Sequence, residues 1–226
     1  MRKRHDYEDN EDYDTLVGML SYTKNTREDF KKALSWAVQN GFPIDYSTEG
    51  SEHWGIKPRP PLLHETMFYS GYEEETKIIL DLGSDVNVQD SEGNTALIVA
   101  AGNCVPIVNK KKWMRNVKTI LEKTNNINHL NNKKETAFGW LCKEFLEVFF
   151  EDCWKEEKRN ILILMRIFLD AGADPNLDSS WFTDEDYHYF HPEGHEFIRN
   201  FIEKYYQQRD ALGSANKVSD VFEYAL

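Results

Sequence analysis

A phrase of five residues, Gly-Ala-Asp-Pro-Asn at 172–176, most constrains what this chain can fold into, because it follows a largely apolar run and recurs upstream. Weaker copies of the phrase end at Asn87 and Asn128. In each case a new apolar stretch opens with a threonine eight residues later, at Thr95 and Thr136. Repetition at a pitch of roughly 33–48 residues is typical of solenoids built from stacked helical hairpins. Because a solenoid presents a long surface, the pattern favours a binding function.

Apolar residues at helical spacing predict a series of helices separated by turn signals. A first pair is expected at 15–22 and 28–39, and it stops at Asn40-Gly41 because glycine accepts the left-handed conformation of a helix end. The later pairs are expected at 61–70 and 73–82, at 95–102 and 113–123, and at 135–150 and 157–170. Insertions are expected at 102–112 and 145–157, and the apolar residues near 145–150 exceed what one repeat normally buries. Helices near 197–205 and at 218–226 complete the pattern.

This pattern divides the chain into a flexible acidic N-terminus, a capping region, a repeat region and a second cap. The expected bounds are 1–14 for the flexible segment, 15–60 for capping helices with a degenerate repeat and a loop, 61–176 for the repeats, and 177–226 for the C-terminal helical cap. Ile44-Asp45 matches Val86-Asn87, 42 residues later, which indicates the degenerate first repeat. Capping units hide the apolar ends of a stack from water, so departure from the repeat pattern is expected there.

These residues resemble the ankyrin-repeat family. Residues 90–101 follow the phrase that opens the family's first helix, with Ala96 in place of proline and Ile98 in place of histidine. Residues 61–64 keep the leucine and histidine of that phrase, and 131–138 keep its threonine but carry Lys134 at the turn glycine. The resemblance covers roughly residues 28–177. It implies an all-α, ankyrin-like helical-repeat solenoid with irregular N- and C-terminal capping helices.

The kept positions have structural jobs. Thr95 and Thr136 are expected to cap first helices with their hydroxyls, and Gly83 and Gly172 to supply the positive φ that ends second helices. Burial between neighbouring repeats is expected of four leucines, Leu80, Leu97, Leu121 and Leu169, at about 1.5–3 kcal/mol each. His64 stands where the family places a structural histidine, so a catalytic role is not expected.

The chain carries a formal net charge of −12. A field of this sign repels phosphate backbones, so direct binding to nucleic acid is disfavoured. The same field attracts a basic partner protein, or it serves only to keep the chain soluble. The basic run Lys110 to Lys112 lies in the first expected insertion, where it either solvates the loop or contacts an acidic partner.

Two further features exclude classes of protein. Arg166 interrupts the longest apolar run, which falls short of the ~18 residues that a membrane span needs. No secretory signal core follows the basic N-terminus. The three cysteines, Cys104, Cys142 and Cys153, form no CxxC motif and are odd in number, which favours reduced thiols in a cytoplasmic protein over a disulfide.

One stretch could supply chemistry, because residues 184–196 are rich in histidine, aspartate and glutamate. Such side chains can hold Zn²⁺, and His191 and His195 have the i, i+4 spacing of a helical pair. Pro192 and Gly194 between them argue against one continuous helix. The chain has no nucleophile-elbow, phosphate-loop or HExxH motif, so no cofactor is expected. A polar loop is therefore favoured over the alternative, a small metal-dependent enzyme.

The resemblance also implies which side chains face a partner. In this family they lie in the turn before each first helix, here called the finger, and at the end of the first helices. The corresponding residues are Gln89, Ser91, Glu92 and Asn94 in one finger, Leu130, Asn132, Lys133 and Glu135 in the next, and Phe68, Tyr69, Asn103 and Lys143 at the helix ends. Trp54 and Trp181 are added as aromatic anchors, because aromatic side chains bury much area at low entropic cost.

The sequence therefore predicts a non-enzymatic module that binds another protein through the concave surface. One specific form of this hypothesis is an inhibitor, immunity or anti-defence protein that masks a basic site of its target. A generic scaffold or adaptor is the alternative within the same class. The scaffold alone does not choose between them, because one fold serves many targets.

Overall fold

A computed structural model describes residues 11–21, 27–50, 58–68, 72–104, 110–150, 154–178, 181 and 192–212 of the chain. The helices in these ranges are α1 (Glu11–Ser21), α2 (Arg27–Gln39), α3 (Leu62–Phe68), α4 (Glu73–Asp81), α5 (Ala96–Ala101), α6 (Lys110–Lys123), α7 (Ala137–Val148), α8 (Lys155–Asp170) and α9 (Pro192–Leu212). No β-sheet forms within the described ranges, where an isolated antiparallel bridge joins Thr48 to Arg59. The all-α fold expected from the sequence is confirmed.

The helices stack in two rows. The first helix of each pair packs on the first helix of the next, in the order α1, α3, α5 and α7, and α9 packs on α7. In the second row α2 packs on α4, and α4 packs on α6. Each pair also packs internally, as α1 with α2, α3 with α4, α5 with α6 and α7 with α8. This arrangement of helical hairpins is the ankyrin-like solenoid that the sequence predicted.

The helix bounds lie within a few residues of those expected, with three differences. Helix α1 already begins at Glu11, because Tyr13 is 3% exposed and its hydroxyl donates to the Pro60 carbonyl at 2.7 Å. Helix α6 begins at Lys110, so the lysine run forms its first turn instead of ending a loop. Helix α9 covers 21 residues from Pro192. The predicted helix at 218–226 and the candidate anchor Trp54 lie outside the described residues.

Three of the four expected helix-end devices are present and one is not. Thr136 accepts a hydrogen bond from the Gly139 amide at 3.0 Å, as a capping threonine should. Gly83 and Gly172 end their helices with φ of +100° and +96°, as predicted. Thr95 has the extended backbone of a cap, but its hydroxyl makes no capping bond, so that expectation was wrong.

The core runs between the two rows. Fully buried side chains come from most helices along the stack, among them Leu34, Leu62, Ile79, Ile120, Leu141, Ile161 and Ile198. Of the four leucines expected to bury between repeats, Leu97 and Leu169 are buried, while Leu80 and Leu121 are half-buried against the core. Each buried side chain stabilises the stack by about 1.5–3 kcal/mol. The row of first helices is thereby fixed relative to the fingers that precede them.

Candidate protein-binding surface

Two neighbouring fingers, residues 90–94 and 131–135, are tight turns of the same design. In the first, the Asp90 amide donates to the Asn94 carbonyl at 3.0 Å, and the Gly93 amide donates to the Asp90 carbonyl at 3.0 Å. In the second, Asn131 and Glu135 are paired in the same way at 3.0 Å. The two fingers are therefore equivalent turns, one in each repeat.

The side chain that opens each finger also holds its shape. The Asp90 Oδ1 atom accepts from the backbone amides of Glu92 and Asn94, both at 2.9 Å. The Asn131 Oδ1 atom accepts from the amides of Lys133 and Glu135, again both at 2.9 Å. Because the amides inside the turn are satisfied by one side chain, the finger keeps its shape without help from a partner.

The turn glycine of the first finger has no counterpart in the second. Gly93 has φ of +78°, and the matching residue Lys134 adopts φ of +66°. This left-handed conformation costs a residue with a Cβ atom roughly 1–2 kcal/mol. The turn therefore forms despite its lysine, because the hydrogen bonds of Asn131 outweigh that strain.

Hydrogen bonds join the two fingers side by side. The Asn132 amide donates to the Glu92 carbonyl at 2.9 Å, and its side-chain amide donates to the Ser91 carbonyl at 3.1 Å. His129 Nε2 donates to the Gly93 carbonyl at 2.9 Å. A Cβ atom on Gly93 would lie 2.7 Å from Asn132 Oδ1, so this close approach also requires glycine. The fingers form one rigid unit.

A buried histidine attaches this unit to the helices. His64 Nε2, on α3, donates to the Asn94 carbonyl at 2.8 Å. The side chain is fully buried, and this burial lowers the pKa of His64 although the bond to Asn94 and nearby carboxylates oppose the effect. The neutral imidazole is a structural bridge between repeats, which is the role that the resemblance implies.

A second set of bonds joins the loops that end each helix pair. The Ser84 hydroxyl donates to Asp45 Oδ1 at 2.6 Å, and the Thr124 hydroxyl donates to Asn87 Oδ1 at 2.8 Å. Asn128 donates to the Gly172 carbonyl at 3.1 Å and accepts from the Asp174 amide at 2.8 Å. Asp45 thus makes the contact that asparagine makes in later units. This equivalence is the structural counterpart of the degenerate first repeat expected from Ile44-Asp45.

Several predicted binding residues are exposed on this rigid unit. Glu92 and Lys133 approach each other at 4.0 Å, but their side chains are 65% and 68% exposed, so the pair contributes little stability. Gln89 and Asn132 are also exposed, and Ser91 and Leu130 are half-buried. Phe68, at the end of α3, is 46% exposed. These side chains are accessible to a partner.

Other predicted binding residues serve the fold. Asn94 accepts from the side-chain amide of Asn131 at 2.9 Å, and Asn103 donates to the Val99 carbonyl at 2.7 Å. Trp181 is 3% exposed, and its ring stacks on His195 with centroids 6.1 Å apart. Tyr69 lies outside the described residues.

Glu135 and Lys143 form a buried ion pair that the sequence analysis assigned to the binding surface. Their side chains are 9% and 5% exposed, and Lys143 Nζ lies 2.8 Å from Glu135 Oε1. Burial alone would raise the pKa of Glu135, but hydrogen bonds from Lys143 and Asn131 outweigh it and lower that pKa. A partner has no access to either charge in this structure. Their match to the ankyrin-repeat pattern predicted that they face a partner, whereas the two charges pair with each other inside the stack.

A close contact between α7 and residue 178 was not foreseen. Gly139 stands in α7 at the position that His64 has in α3. Asp178, which is 2% exposed, enters the space that a larger residue would fill, and its Oδ2 atom accepts from the Thr136 amide at 2.7 Å. The carboxylate thus caps α7 from outside the helix. Its sequence signal is the absence of a side chain at 139.

The stretch 184–196, rich in histidine, aspartate and glutamate, lies largely outside the described residues, which resume at Pro192. Gly194 does not interrupt the helix there, contrary to expectation, since α9 begins at Pro192 and continues through it. A Cβ atom on Gly194 would lie 2.8 Å from Leu146, so glycine allows α9 to pack closely on α7. Across the described ranges, no three or more His, Cys, Asp or Glu side chains are grouped to hold a metal ion.

Two of the three cysteines lie in the described residues. Cys104 and Cys142 are free and buried, and burial raises the pKa of both, which makes them poor nucleophiles. Cys153 lies outside the described residues. Among the described helices, none is long and apolar enough to cross a membrane.

The similarity that comparisons with known proteins find is one of structure. No family model matches the chain, and no curated protein matches it. Among solved structures, the chain is similar to an ankyrin repeat domain from Acinetobacter baumannii AYE, with 23% sequence identity and a TM-score of 0.46 over 86% of this chain and 89% of that one. The description of the fold as ankyrin-like rests on the helix pairs, fingers and helix-end glycines described above.

Proposed function

We propose that this chain is a non-enzymatic protein-binding module whose partner contacts the two fingers and the exposed end of α3. The contact residues of this proposal are Phe68, Gln89, Ser91, Glu92, Leu130, Asn132 and Lys133. The observation that carries the proposal is the self-sufficient bonding of residues 90–94 and 131–135. Tyr69 remains part of the proposal on sequence grounds alone.

The bonding matters because a rigid surface loses little entropy when it binds. Ordering a loop or a rotamer-rich side chain costs about 0.5–1.5 kcal/mol per side chain, and a preorganised backbone avoids part of this cost. The exposed side chains of Gln89, Glu92 and Lys133 are not needed to hold the fingers, since backbone groups and the side chains that open each finger do so. Their identities are free to serve recognition.

A pair of matched variants tests the proposal. Phe68→Ala with Glu92→Lys alters the proposed surface. Trp36→Ala with Glu122→Lys alters an exposed aromatic residue and an exposed glutamate on the second row of helices. Immobilised wild type and both variants are compared for the proteins they retain from the native host. We expect the first variant to lose a partner that the second keeps, with unfolding free energies within about 0.5 kcal/mol of wild type.

Two outcomes would contradict this assignment. If the finger variant retains every partner, the fingers are not the binding surface. If it unfolds at much lower denaturant concentration than wild type, Phe68 and Glu92 are structural residues. A stoichiometric transition metal in the purified protein, bound through residues 184–196, would instead favour the metal-dependent enzyme.

A second, more specific form of the proposal is an inhibitor or immunity-type protein that masks a basic site. The formal net charge of −12 supports it, because such a field accelerates association with a basic surface and makes it salt-sensitive. Glu92 and Lys133 nearly balance each other on the fingers, so the attraction arises from the whole chain. We expect affinity for the partner to fall steeply with salt. A flat salt profile, or an acidic contact surface on the partner, would leave a scaffold or adaptor role instead.

A further inference from the structure

An open groove lies at the end of the stack, between α7, α8 and α9, and no finger residue lines it. Its volume is about 550 Å³. Its floor is apolar and consists of Phe145, Phe149, Leu162, Ile163, Phe197 and Phe201. A groove of this size accepts a few large side chains of a ligand.

Aromatic rings in and beside the groove are unusually exposed. Phe197 is 41% exposed, and it stacks on the buried Phe145 with centroids 5.3 Å apart. Phe150, which is 52% exposed, meets Phe149 edge to face at 4.8 Å. Two of the five large exposed hydrophobic side chains in the described ranges therefore adjoin one site. Exposed apolar area that is concentrated in this way marks an interaction surface.

The rim of the groove is basic, although the chain is strongly acidic. Lys155, Lys158, Arg159 and Arg166 all line it from α8, and none of its lining residues in the described ranges is acidic. Lys158 and Arg159 follow Lys155 by three and four residues, and Arg166 follows Arg159 by seven, so the four lie along one face of the helix. Within the described part of the chain, these four cations make no ion pair. Unpaired cations beside exposed aromatic rings are matched by carboxylates beside apolar side chains.

We propose that this groove binds an acidic amphipathic helix of a partner protein. Leucine or phenylalanine side chains three or four residues apart enter the apolar floor, and flanking glutamates or aspartates meet the four cations of α8. Docking an amphipathic helix in a groove is a recurrent mode of peptide recognition. Single-stranded nucleic acid is the less suitable ligand, because it carries a negative charge on every nucleotide, and the net charge of −12 repels it more strongly than a helix with a few carboxylates. The groove is separate from the fingers, so the inference does not depend on the function proposed above.

Matched charge reversals test this docking site in the full-length chain. Arg159→Glu with Arg166→Glu reverses two rim charges, and Lys31→Glu with Lys123→Glu makes the same change in net charge at exposed positions on α2 and α6. The probe is a fluorescent helical peptide of about 16 residues with leucine or phenylalanine at every third or fourth position and glutamate between them. Fluorescence anisotropy measures its affinity.

We expect the acidic peptide to bind wild type and the Lys31/Lys123 variant with equal affinity. Its affinity for the Arg159/Arg166 variant should be at least about tenfold lower. A peptide with lysine in place of glutamate should not bind. Because the two variants carry the same net charge, the total charge of the chain cannot account for a difference between them.

Four results would overturn the proposal. Equal affinity of both variants for the acidic peptide would show that the rim does not recognise carboxylates. Equal binding of the lysine peptide would show only apolar adhesion. Tighter binding of a single-stranded oligonucleotide, lost in the Arg159/Arg166 variant, would assign the groove to nucleic acid. Self-association of wild type that the same variant abolishes, without peptide binding, would assign it to a second copy of the chain.

Discussion

Replacing Gly139 by alanine should destabilise the protein only while Asp178 is present. A Cβ atom at residue 139 would overlap the Asp178 carboxylate and lie 2.6 Å from its Cγ atom. The carboxylate must then move away from the Thr136 amide, with which it makes a buried hydrogen bond of 2.7 Å. The substitution therefore acts through the cap of α7 and not through the helix itself.

Two opposing effects set the magnitude. A buried amide that loses its partner costs about 1–3 kcal/mol. Alanine inside a helix is favoured over glycine by about 1 kcal/mol. We therefore expect Gly139→Ala to lower the free energy of unfolding by up to about 2 kcal/mol in wild type, after the propensity gain is subtracted from the lost bond.

The expectation reverses once Asp178 is replaced by alanine. The single variant Asp178→Ala loses the cap and should be destabilised by about 1–3 kcal/mol. In that background the space beside residue 139 is open, so Gly139→Ala should be neutral or stabilising by up to about 1 kcal/mol. The effects of the two substitutions are therefore far from additive, with a coupling energy of about 2 kcal/mol.

Urea unfolding of wild type, the two single variants and the double variant measures this coupling. Circular dichroism at the helix band is a suitable signal, and equal slopes against urea show that the unfolded states are comparable. Additive effects, within about 0.5 kcal/mol, would refute the proposed contact. Gly194→Ala is a useful comparison, because its Cβ atom would meet Leu146 and not Asp178, and its cost should not depend on residue 178.

The same unfolding measurement checks four further expectations. Lys143→Met should lower the free energy of unfolding by about 3–5 kcal/mol, because it leaves the Glu135 charge buried without a partner. Adding Glu135→Gln should recover most of this loss. Equal losses in the single and the double variant would contradict a buried pair. Burial lowers the pKa of His64, so the unfolded chain takes up the proton first and stability should fall below about pH 6.5, less steeply in His64→Gln. An unchanged slope would contradict this. Burial, with a smaller effect of Glu147, raises the pKa of Glu144 to about 8, so the folded chain keeps a proton that the unfolded chain releases, and stability should fall from pH 4.5 to about 8. Over that interval the free energy of unfolding of Glu144→Gln should rise by about 1 kcal/mol relative to that of wild type, after allowance for solvent screening. If the stabilities of the two proteins changed with pH in parallel, the expectation would be contradicted. Finally, Lys134→Gly should gain about 0.5–1 kcal/mol by removing left-handed strain, and a loss would mean that the lysine side chain stabilises the turn.

The repeat fold could be predicted because its determinants are local. The glycines that end helices need only a positive φ, and Gly83 and Gly172 have it. The match of Asp45 to the later asparagines also depends on a short segment, and the structure gives it the same contact with the next loop. Helix positions followed from apolar spacing for the same reason.

The orientation of charged residues could not be predicted, because it depends on partners distant in sequence. Family register placed Glu135 and Lys143 on the binding surface, but each is neutralised by the other inside the stack. Asp178 lies 42 residues from the amide that it caps, and no local pattern links the two. Long-range polar contacts of this kind decide which predicted binding residues remain accessible.

The apolar excess near residues 145–150 was visible in the sequence, whereas its cause was not. The structure shows that α9 packs on α7, and that Phe197 stacks on Phe145. The helical spacing of the four cations on α8 is also visible in the sequence. That they line a groove could not be predicted, because this depends on α8 and α9 lying beside the same aromatic side chains.

The distance between Thr136 and its cap at Asp178 has a consequence for synthesis on the ribosome. A chain elongates at about 5–20 residues per second, so the amide waits roughly 2–8 s for a carboxylate that is encoded 42 residues later. During this interval the first turn of α7 has only the Thr136 hydroxyl as a cap. Nascent chains arrested before residue 178 should therefore be cut within α7 by a protease more readily than chains arrested after α9.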